Sequence, residues 1–206
     1  MTKNLAVFVS GRGSNLHAIL NKIDSGYLNC KICAVVSNKL DCAAFEIADK
    51  KNIRKISVST LEQNNFLSYS ELAGIFNELK IDLIVLAGFL KKIPDEFVEE
   101  FKHRIINIHP ALLPSFGGKG MYGHYVHEAV FNKSCKVSGA TVHFVDSIYD
   151  NGFIIAQKAT DISDAANPDE IAELVLNIEH ELLPYVIRNF CDGKIKIENH
   201  RAIICT

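Results

Sequence analysis

Residues 5–15 read Leu-Ala-Val-Phe-Val-Ser-Gly-Arg-Gly-Ser-Asn, and this stretch determines which fold we expect. The first five residues form a continuous apolar run, which is typical of a parallel strand that is covered on both faces. A glycine-containing turn follows, and an amphipathic segment begins at Leu16. In this arrangement the free backbone N–H groups at the start of the helix face any anion in front of it. The stretch predicts an α/β fold with an anion site at the turn, and Ser14 or Asn15 as the helix N-cap.

The glycine turn does not match the two best-known nucleotide-binding motifs. Leu16 occupies the position of the third glycine in a dinucleotide fingerprint, and no Lys-Ser or Lys-Thr pair follows to make a P-loop. We therefore expect one compact phosphate rather than a nucleoside triphosphate. A tight turn without any ligand is the alternative that the turn by itself leaves open.

Apolar strands alternate with amphipathic helices through the first half of the chain. We expect strands at 31–37, 55–58, 81–87 and 104–109, and helices at 43–51, 66–80 and 95–101. Short connections between them predict a three-layer fold, in which a mostly parallel twisted sheet of about seven strands is flanked by helices. Open parallel sheets bind ligands at the carboxyl ends of their strands, so we expect residues 11–15, 88–93 and 107–109 at one edge.

Asn107 and His109 stand at the end of the strand at 104–109, just before Pro110. They are two residues apart, so their side chains project from the same face of an extended chain. Pro110 has no backbone N–H and suits a strand that stops there. An amide and an imidazole side by side indicate a site that could bind an oxyanion.

The second half of the chain carries a long loop and several further polar residues. Residues 111–123 contain four glycines and a proline, and loops of this length are often functional. His124 and His127 open a helix that reaches about residue 131; we interpret them as surface or substrate-loop histidines rather than metal ligands. Asp150 either initiates a turn with the following Asn-Gly or turns inward to a histidine, and the sequence leaves these two readings even.

Residues 139–145 and 153–159 are expected to form a pair of antiparallel or splayed strands. The last helix has the clearest start signal, with Asn167 as N-cap, Pro168 in the first turn and Glu170 completing a capping box. Pro184 is expected to kink or break that helix. A short hairpin should follow at 194–205.

Composition limits the class of protein. The chain has 206 residues, 48% of them hydrophobic, and a formal net charge of −2, with a pI near 6.4. Such a chain has no broad basic field for nucleic acid or a membrane surface, and no apolar run approaches the about 20 residues of a membrane span. The pair Cys30 and Cys33 is interpreted as part of a buried strand rather than a redox or zinc site. We expect a cytoplasmic protein organised as a single domain, with a phosphate-binding half at 1–103 and a second half at 104–206.

Four motifs in this order make the chain similar to a known family. They are Ser-Gly-Arg-Gly-Ser-Asn-Leu at 10–16, Ala-Gly-Phe at 87–89, Asn-Ile-His-Pro-Ala-Leu-Leu-Pro at 107–114 and Val-His-Phe-Val at 142–145. With them the chain resembles the folate-dependent formyltransferases over essentially its whole length, and most closely the branch that acts on glycinamide ribonucleotide. The resemblance implies the formyltransferase fold, with a Rossmann-like N-terminal half.

The resemblance also implies an activity and its residues. A formyl group passes from 10-formyltetrahydrofolate, the co-substrate, to the amine of N1-(5-phospho-D-ribosyl)glycinamide in purine (IMP) biosynthesis, without a metal. The implied catalytic triad is Asn107, His109 and Asp150. The implied ribonucleotide contacts are Gly13, Ser14, Asn15, Leu16, His17 and Glu179. The implied folate contacts are Leu90, Lys91, Lys92, Ile93, Asn107, Asp146, Ser147, Ile148, Tyr149 and Asp150.

In the implied mechanism, Asn107 and a protonated His109 donate hydrogen bonds to the oxyanion that forms when the amine attacks. Asp150 is expected to keep His109 charged by raising its pKa, and to help move a proton. Two alternatives remain, a formyltetrahydrofolate hydrolase and a formyltransferase with a different amine acceptor. A phosphate-binding domain without catalysis is disfavoured, because it gives the triad no role. We expect small-molecule substrates, no nucleic acid or membrane partner, and a monomer or homodimer.

Overall fold

The computed structural model describes residues 2–205 of the chain. Its strands are β1 (Lys3–Val9), β2 (Cys30–Ser37), β3 (Arg54–Ser57), β4 (Leu83–Leu86), β5 (Ile105–His109), β6 (Val137–Phe144), β7 (Ile154–Asp161), β8 (Ile195–Glu198) and β9 (Arg201–Ile204). Its helices are α1 (Ser14–Asp24), α2 (Phe45–Lys50), α3 (Tyr69–Glu78), α4 (Asp95–Glu100), α5 (His124–Asn132) and α6 (Pro168–Cys191).

Seven of these strands form one sheet in the order β3-β2-β1-β4-β5-β6-β7. β1 pairs in parallel with both β2 and β4, and β2 pairs in parallel with β3. β6 and β7 are antiparallel, and β8 and β9 form the expected separate hairpin. The predicted α/β fold, a mostly parallel sheet of about seven strands with helices between them, is confirmed.

The chain divides into two compact units, unit 1 up to Ile106 and unit 2 from Asn107 onward. The division falls inside β5. Unit 1 holds the glycine turn and the segment at 88–93. Unit 2 holds Asn107, His109, Asp150 and Glu179.

An aromatic cluster organises unit 1 around the centre of β1. The Phe8 ring lies 6.0 Å from that of Phe76, 5.2 Å from that of Phe89 and 6.4 Å from that of Phe97, between centroids. All four side chains are buried, and fully buried aromatic rings each remove a large apolar area from water. Since Phe89 lies three residues after the end of β4, this packing fixes where the segment at 88–93 leaves the sheet.

Two helices of the structure differ from the sequence prediction for local reasons. α3 begins at Tyr69 rather than at residue 66, because Ser68 caps it and forms a capping box with Glu71. α6 continues through Pro184 to Cys191, so the predicted break is wrong. The cost of a proline inside a helix, about 3 kcal/mol, is offset by the buried side chains that surround it, Leu182, Leu183, Val186 and Ile187.

Candidate active site

The glycine turn of unit 1 ends in a residue that only glycine suits. Gly13 is the N-cap of α1 with φ at 78°, and no side chain caps the helix. A Cβ on Gly13 would lie 2.7 Å from Cβ of Ala44. The expectation that Ser14 or Asn15 caps the helix is therefore wrong, since crowding from the start of α2 moves the cap one residue earlier. The first N–H groups of α1 are left without a side-chain cap, as an anion-binding helix start requires.

The side chains after Gly13 differ in what they can reach. Ser14 and His17 are exposed, whereas Asn15 and Leu16 are buried. Nδ1 of His17 lies 3.1 Å from Nδ2 of Asn21 on the same helix. Leu16 packs in the core, so any contact it makes with a ligand is through its backbone.

The segment at 90–93 lines a cavity of about 770 Å³ within unit 1. Residues 91–94 form one wall of it, the loop after β3 and the start of α3 line another part, and Asn38 after β2 completes the lining. Leu90 is half-exposed and Ile93 is buried, while Nζ of Lys92 pairs with Asp95 at 2.8 Å. The cavity therefore offers both apolar surface and positive charge to a ligand.

His109, at the end of β5 in unit 2, is enclosed by acceptors. Its side chain is 3% exposed. Nε2 lies 2.8 Å from the carbonyl oxygen of Phe116, so the proton of a neutral imidazole resides on Nε2 and is donated to that carbonyl. Nδ1 lies 3.7 Å from Oδ1 of Asp150. Of the two readings of Asp150 that the sequence left even, the structure shows the inward one.

Asp150 is held in place by the loop that follows β5. The backbone N–H of Gly118 donates to its Oδ2 at 2.8 Å. A Cβ on Gly117 would lie 2.5 Å from Cδ2 of Leu113 and 3.3 Å from Cβ of Asp150, so the loop packs closely against the carboxylate. Burial raises the pKa of Asp150, but the neighbouring His143 and His109 and the N–H of Gly118 outweigh it, and the pKa is lowered overall. Asp150 is therefore ionised at neutral pH.

Burial opposes the expected effect of Asp150 on the pKa of His109. Burial lowers the pKa of His109 below its ordinary value; Asp150 and the Phe116 carbonyl raise it, and His143 lowers it further. The balance is a lowered pKa. Asp150 acts in the predicted direction, but burial is the larger effect, because taking a charged imidazole out of water costs more than one carboxylate at 3.7 Å returns.

His143 is a member of this cluster that the sequence prediction missed. Nδ1 of His143 lies 2.7 Å from the carbonyl oxygen of Phe144, which places the proton there and makes Nε2 an acceptor. Nδ2 of Asn107 lies 3.1 Å from Nε2 of His143 and donates to it. This fixes the orientation of the Asn107 amide and leaves its second N–H for a ligand. Side-chain alternation along the strand at 141–145 places His143 on the same face as Thr141. It does not show that His143 bonds to Asn107, 36 residues away in the chain.

The loop before Asp150 is shaped by a different carboxylate. Oδ1 of Asp146 accepts from the N–H of Ile148 at 2.9 Å, and Oδ2 accepts from Nδ2 of Asn151 at 3.1 Å. Ser147, Ile148 and Tyr149 are exposed. Asp146 therefore orders the turn, and the exposed side chains are available to a ligand.

Two further polar residues of unit 2 are buried. Glu179 is 9% exposed on α6. His127 is 6% exposed on α5, and among residues 2–205 its buried Nδ1 has no hydrogen-bond partner. The interpretation of both histidines as surface or substrate-loop residues is wrong for His127, which packs inward, while His124 is exposed and contacts Glu128 at 3.2 Å. Burial, together with His124 and His109, lowers the pKa of His127 to about 4.

Within residues 2–205, no group of three or more His, Cys, Asp or Glu side chains is placed to hold a metal ion. The six cysteines are all free thiols. No helix in the same range is both long enough and apolar enough to cross a membrane.

The chain is similar over most of its length to known proteins of one family. A family model described as formyl transferase matches residues 3–187. A phosphoribosylglycinamide formyltransferase, chloroplastic, from Arabidopsis thaliana is 43% identical over 94% of the chain, which spans 67% of that protein's length. The phosphoribosylglycinamide formyltransferase of Haemophilus influenzae is 32% identical, and the match covers 98% of this chain and 93% of that protein. The crystal structure of glycinamide ribonucleotide transformylase 1 from Symbiobacterium toebii superimposes with a TM-score of 0.89 at 29% identity, covering 100% of this chain and 95% of the other.

Proposed function

The chain belongs to the formyl transferase family, and we propose that Asn107, His109 and Asp150 carry its chemistry. The reaction is transfer of the formyl group of 10-formyltetrahydrofolate to the amine of glycinamide ribonucleotide, a step of purine synthesis. The similarity to proteins of that activity extends over nearly the whole chain.

One observation carries the assignment of the triad. Asn107 and His109 each have an N–H group that is fixed in direction at the end of β5. The ionised Asp150 lies 3.7 Å from His109 and 3.6 Å from His143. Two donors and one carboxylate are the groups that attack of an amine on a formyl carbon requires. The donors stabilise the oxyanion, and the carboxylate compensates the positive charge that builds up beside it.

In the first step the amine nitrogen bonds to the formyl carbon, and the carbonyl electron pair moves to oxygen. The second N–H of Asn107 and the Nε2–H of His109 donate to this oxygen. The growing negative charge favours protonation of His109, and Asp150 lies where it stabilises the imidazolium. In the second step the electron pair on oxygen re-forms the carbonyl, the bond between the formyl carbon and N10 of the folate breaks with its electrons on nitrogen, and the proton lost by the amine ends on N10. Asp150 and His109 are the groups that can pass it.

His109 does not need to be charged before the reaction starts. Its neutral form already carries the donating proton on Nε2, because that nitrogen donates to the Phe116 carbonyl in the ligand-free structure. The formyl oxygen takes the place of that carbonyl. A lowered resting pKa and an oxyanion donor are therefore compatible in one residue.

The remaining contacts follow the family pattern as proposals. The ribonucleotide phosphate binds the uncapped start of α1 at Gly13, Ser14 and Asn15, and Glu179 binds the amine end of the ribonucleotide. The folate contacts the segments at 90–93 and 146–150. The charged and apolar lining of the cavity beside residues 91–93 supports the folate assignment. We also propose that the protein acts in the cytoplasm as a monomer or homodimer, without nucleic acid.

The activity test uses purified protein and 10-formyltetrahydrofolate, with and without glycinamide ribonucleotide. We expect tetrahydrofolate to form only when the ribonucleotide is present, together with stoichiometric N-formyl product measured by mass spectrometry. Tetrahydrofolate and formate without the ribonucleotide would identify a hydrolase instead. Turnover with another amine but not with the ribonucleotide would identify a transferase with a different acceptor.

A further inference from the structure

Ser10 lies between the two regions of unit 1 that are proposed to bind the two substrates. It is the residue after β1, and it is 3% exposed. Its Oγ donates to Oδ1 of Asn38 at 2.6 Å and accepts from the N–H of Leu90 at 3.0 Å. Its own N–H donates to the carbonyl of Gly88 at 3.1 Å. One buried hydroxyl thus joins the tips of β1, β2 and β4.

On its other side, Ser10 leads directly into the glycine turn. The carbonyl of Gly11 accepts from the N–H of Ala44 at 3.2 Å and from Sγ of Cys42 at 3.4 Å. Gly13 packs against Ala44 with no room for a methyl group. The turn is therefore held between the start of α2 and Ser10, and a shift at Ser10 moves the start of α1.

Both hydrogen-bond partners of the Ser10 hydroxyl lie at the folate side. Leu90 begins the segment at 90–93. Asn38 lines the same cavity as Lys91, Lys92 and Ile93. The Ser10 hydroxyl therefore bonds both to a residue that lines the cavity and to the first residue of the segment at 90–93. The backbone of Ser10 continues into the glycine turn.

We propose that Ser10 is a positioning residue that makes ligand binding at the glycine turn and at the folate cavity depend on one shared hydroxyl. The inference rests on the proposed function, because it takes residues 13–15 as the ribonucleotide site and residues 90–93 as part of the folate site. It adds that neither site keeps its geometry when the hydroxyl is lost.

The test is calorimetric binding of each ligand alone, with glycinamide ribonucleotide and tetrahydrofolate as a pair that cannot react. In Ser10→Ala we expect the Kd of each ligand to rise about five- to tenfold, the typical effect of one lost hydrogen bond that leaves a buried partner unsatisfied. We expect kcat at saturation to change by less than about threefold, because the proposed catalytic groups are in unit 2. Ser10→Thr, which keeps a donor and an acceptor, should restore both Kd values toward wild type.

Ser37→Ala is the matched control. Ser37 is fully buried at the end of the neighbouring strand β2, and its Oγ accepts from the N–H of Lys39 at 3.2 Å. It does not line the cavity. Ser37→Ala removes an equally buried hydroxyl, so it matches any general destabilisation caused by Ser10→Ala. The Kd values of both ligands should stay within about twofold of wild type.

Asn38→Ala is a second test of the same inference, and it remains valid if the Ser10→Ala variant does not fold. Asn38 is not part of the glycine turn, so a local effect is limited to the folate cavity. We expect the Kd of the ribonucleotide alone to rise as well, by about threefold or more, because Ser10 loses its acceptor. An unchanged ribonucleotide Kd in Asn38→Ala, or a change in only one Kd in Ser10→Ala, would overturn the coupling. A wild-type protein that neither binds nor formylates the ribonucleotide would instead overturn the proposed function.

Discussion

The glycine turn of unit 1 and the end of β5 in unit 2 are built in opposite ways. At the turn, the groups that face a ligand are backbone N–H groups at an uncapped helix start, and the flanking side chains are largely exposed. At the end of β5 the polar groups are side chains, mostly buried, and each is already bonded inside unit 2. The donors of the first region come from one short segment of the chain. The second needs contacts between residues far apart in the chain.

This contrast explains what each region can do. Exposed backbone donors bind an anion with little change in their own charge, because amides do not titrate. Buried imidazoles and carboxylates change protonation with small changes around them, since burial and neighbouring charges oppose each other. Substrate binding suits the first region, and proton movement suits the second.

The largest expected effect comes from breaking the second region at Asp150. In Asp150→Asn, the Gly118 N–H keeps an acceptor, but the negative charge beside His109 is lost. We expect kcat to fall by about 10²–10⁴, the usual contribution of acid–base groups, with ligand Kd values within about threefold of wild type. Steady-state kinetics and calorimetry measure both.

Asp146→Asn is the control for that variant, because Asp146 lies on the same loop and its hydrogen bonds, with Ile148 and Asn151, stay within that loop. Its kcat should stay near that of wild type, although the folate KM can change. Near-normal turnover in Asp150→Asn would remove Asp150 from the mechanism. In Asp150→Asn, the apparent pKa in the pH dependence of kcat should also fall, since Asp150 raises the pKa of His109.

A smaller effect is expected at the glycine turn. Gly13→Ala places a methyl group 2.7 Å from Cβ of Ala44 at a residue with φ of 78°. We expect the ribonucleotide KM to rise about tenfold, with kcat little changed, because one misplaced turn loses backbone hydrogen bonds to the phosphate. The folded protein should also lose stability in thermal unfolding.

Gly26→Ala separates backbone strain from crowding at that position. Gly26 has a nearly equal φ of 75°, but a Cβ there meets nothing within 4 Å. The strain alone costs about 1 kcal/mol of stability, and the ribonucleotide KM should not change. Equal changes of the ribonucleotide KM in Gly13→Ala and Gly26→Ala would show that the close approach of Gly13 to Ala44 does not matter for binding.

A third expected effect, on stability rather than on activity, tests whether burial governs the charge of His127. The pKa of His127 is lowered to about 4 from 6.5. Between these values the unfolded chain binds a proton that the folded chain does not, so stability is full above about pH 6.5 and falls as the pH drops. At about pH 5 the loss should reach about 2 kcal/mol relative to neutral pH.

His127→Gln cannot take up that proton. Chemical denaturation at neutral pH and at about pH 5 should therefore show a smaller pH-dependent loss in this variant than in wild type, by the same amount. The exposed His200→Gln should lose as much stability as wild type does. A His127→Gln loss equal to that of wild type would mean that His127 titrates normally in the folded protein.

The sequence predicted those parts that depend on neighbours in the chain. The apolar run at 5–9 gave the central strand, and the spacing of Asn107 and His109 gave two side chains at one strand end. The cap of α1 was predicted one residue late, because the crowding by Ala44 comes from another helix. The lowered pKa of His109 was not predictable for a similar reason, since its burial depends on residues away from its strand, among them Phe116 in the loop after β5.

His143 shows most directly what could not be predicted from the sequence. Its position in a strand was predictable, but its bond to Asn107 depends on two strands 36 residues apart in the chain. The inward turn of Asp150 likewise depends on an N–H 32 residues earlier. No local pattern reports such pairs.

The hydrogen bond from His109 to the Phe116 carbonyl has an energetic consequence for catalysis. Any substrate carbonyl that accepts from Nε2 must displace one that is already bound at 2.8 Å. The enzyme therefore gains only the difference between two hydrogen bonds when the formyl group first arrives. An oxyanion accepts far more strongly than a neutral carbonyl, so this difference becomes large only as negative charge develops. The bond to the loop is lost equally in the ground state and in the transition state, so it weakens substrate binding without changing the gain that follows. Faster turnover comes from the stronger hydrogen bond to the oxyanion, which forms only in the transition state.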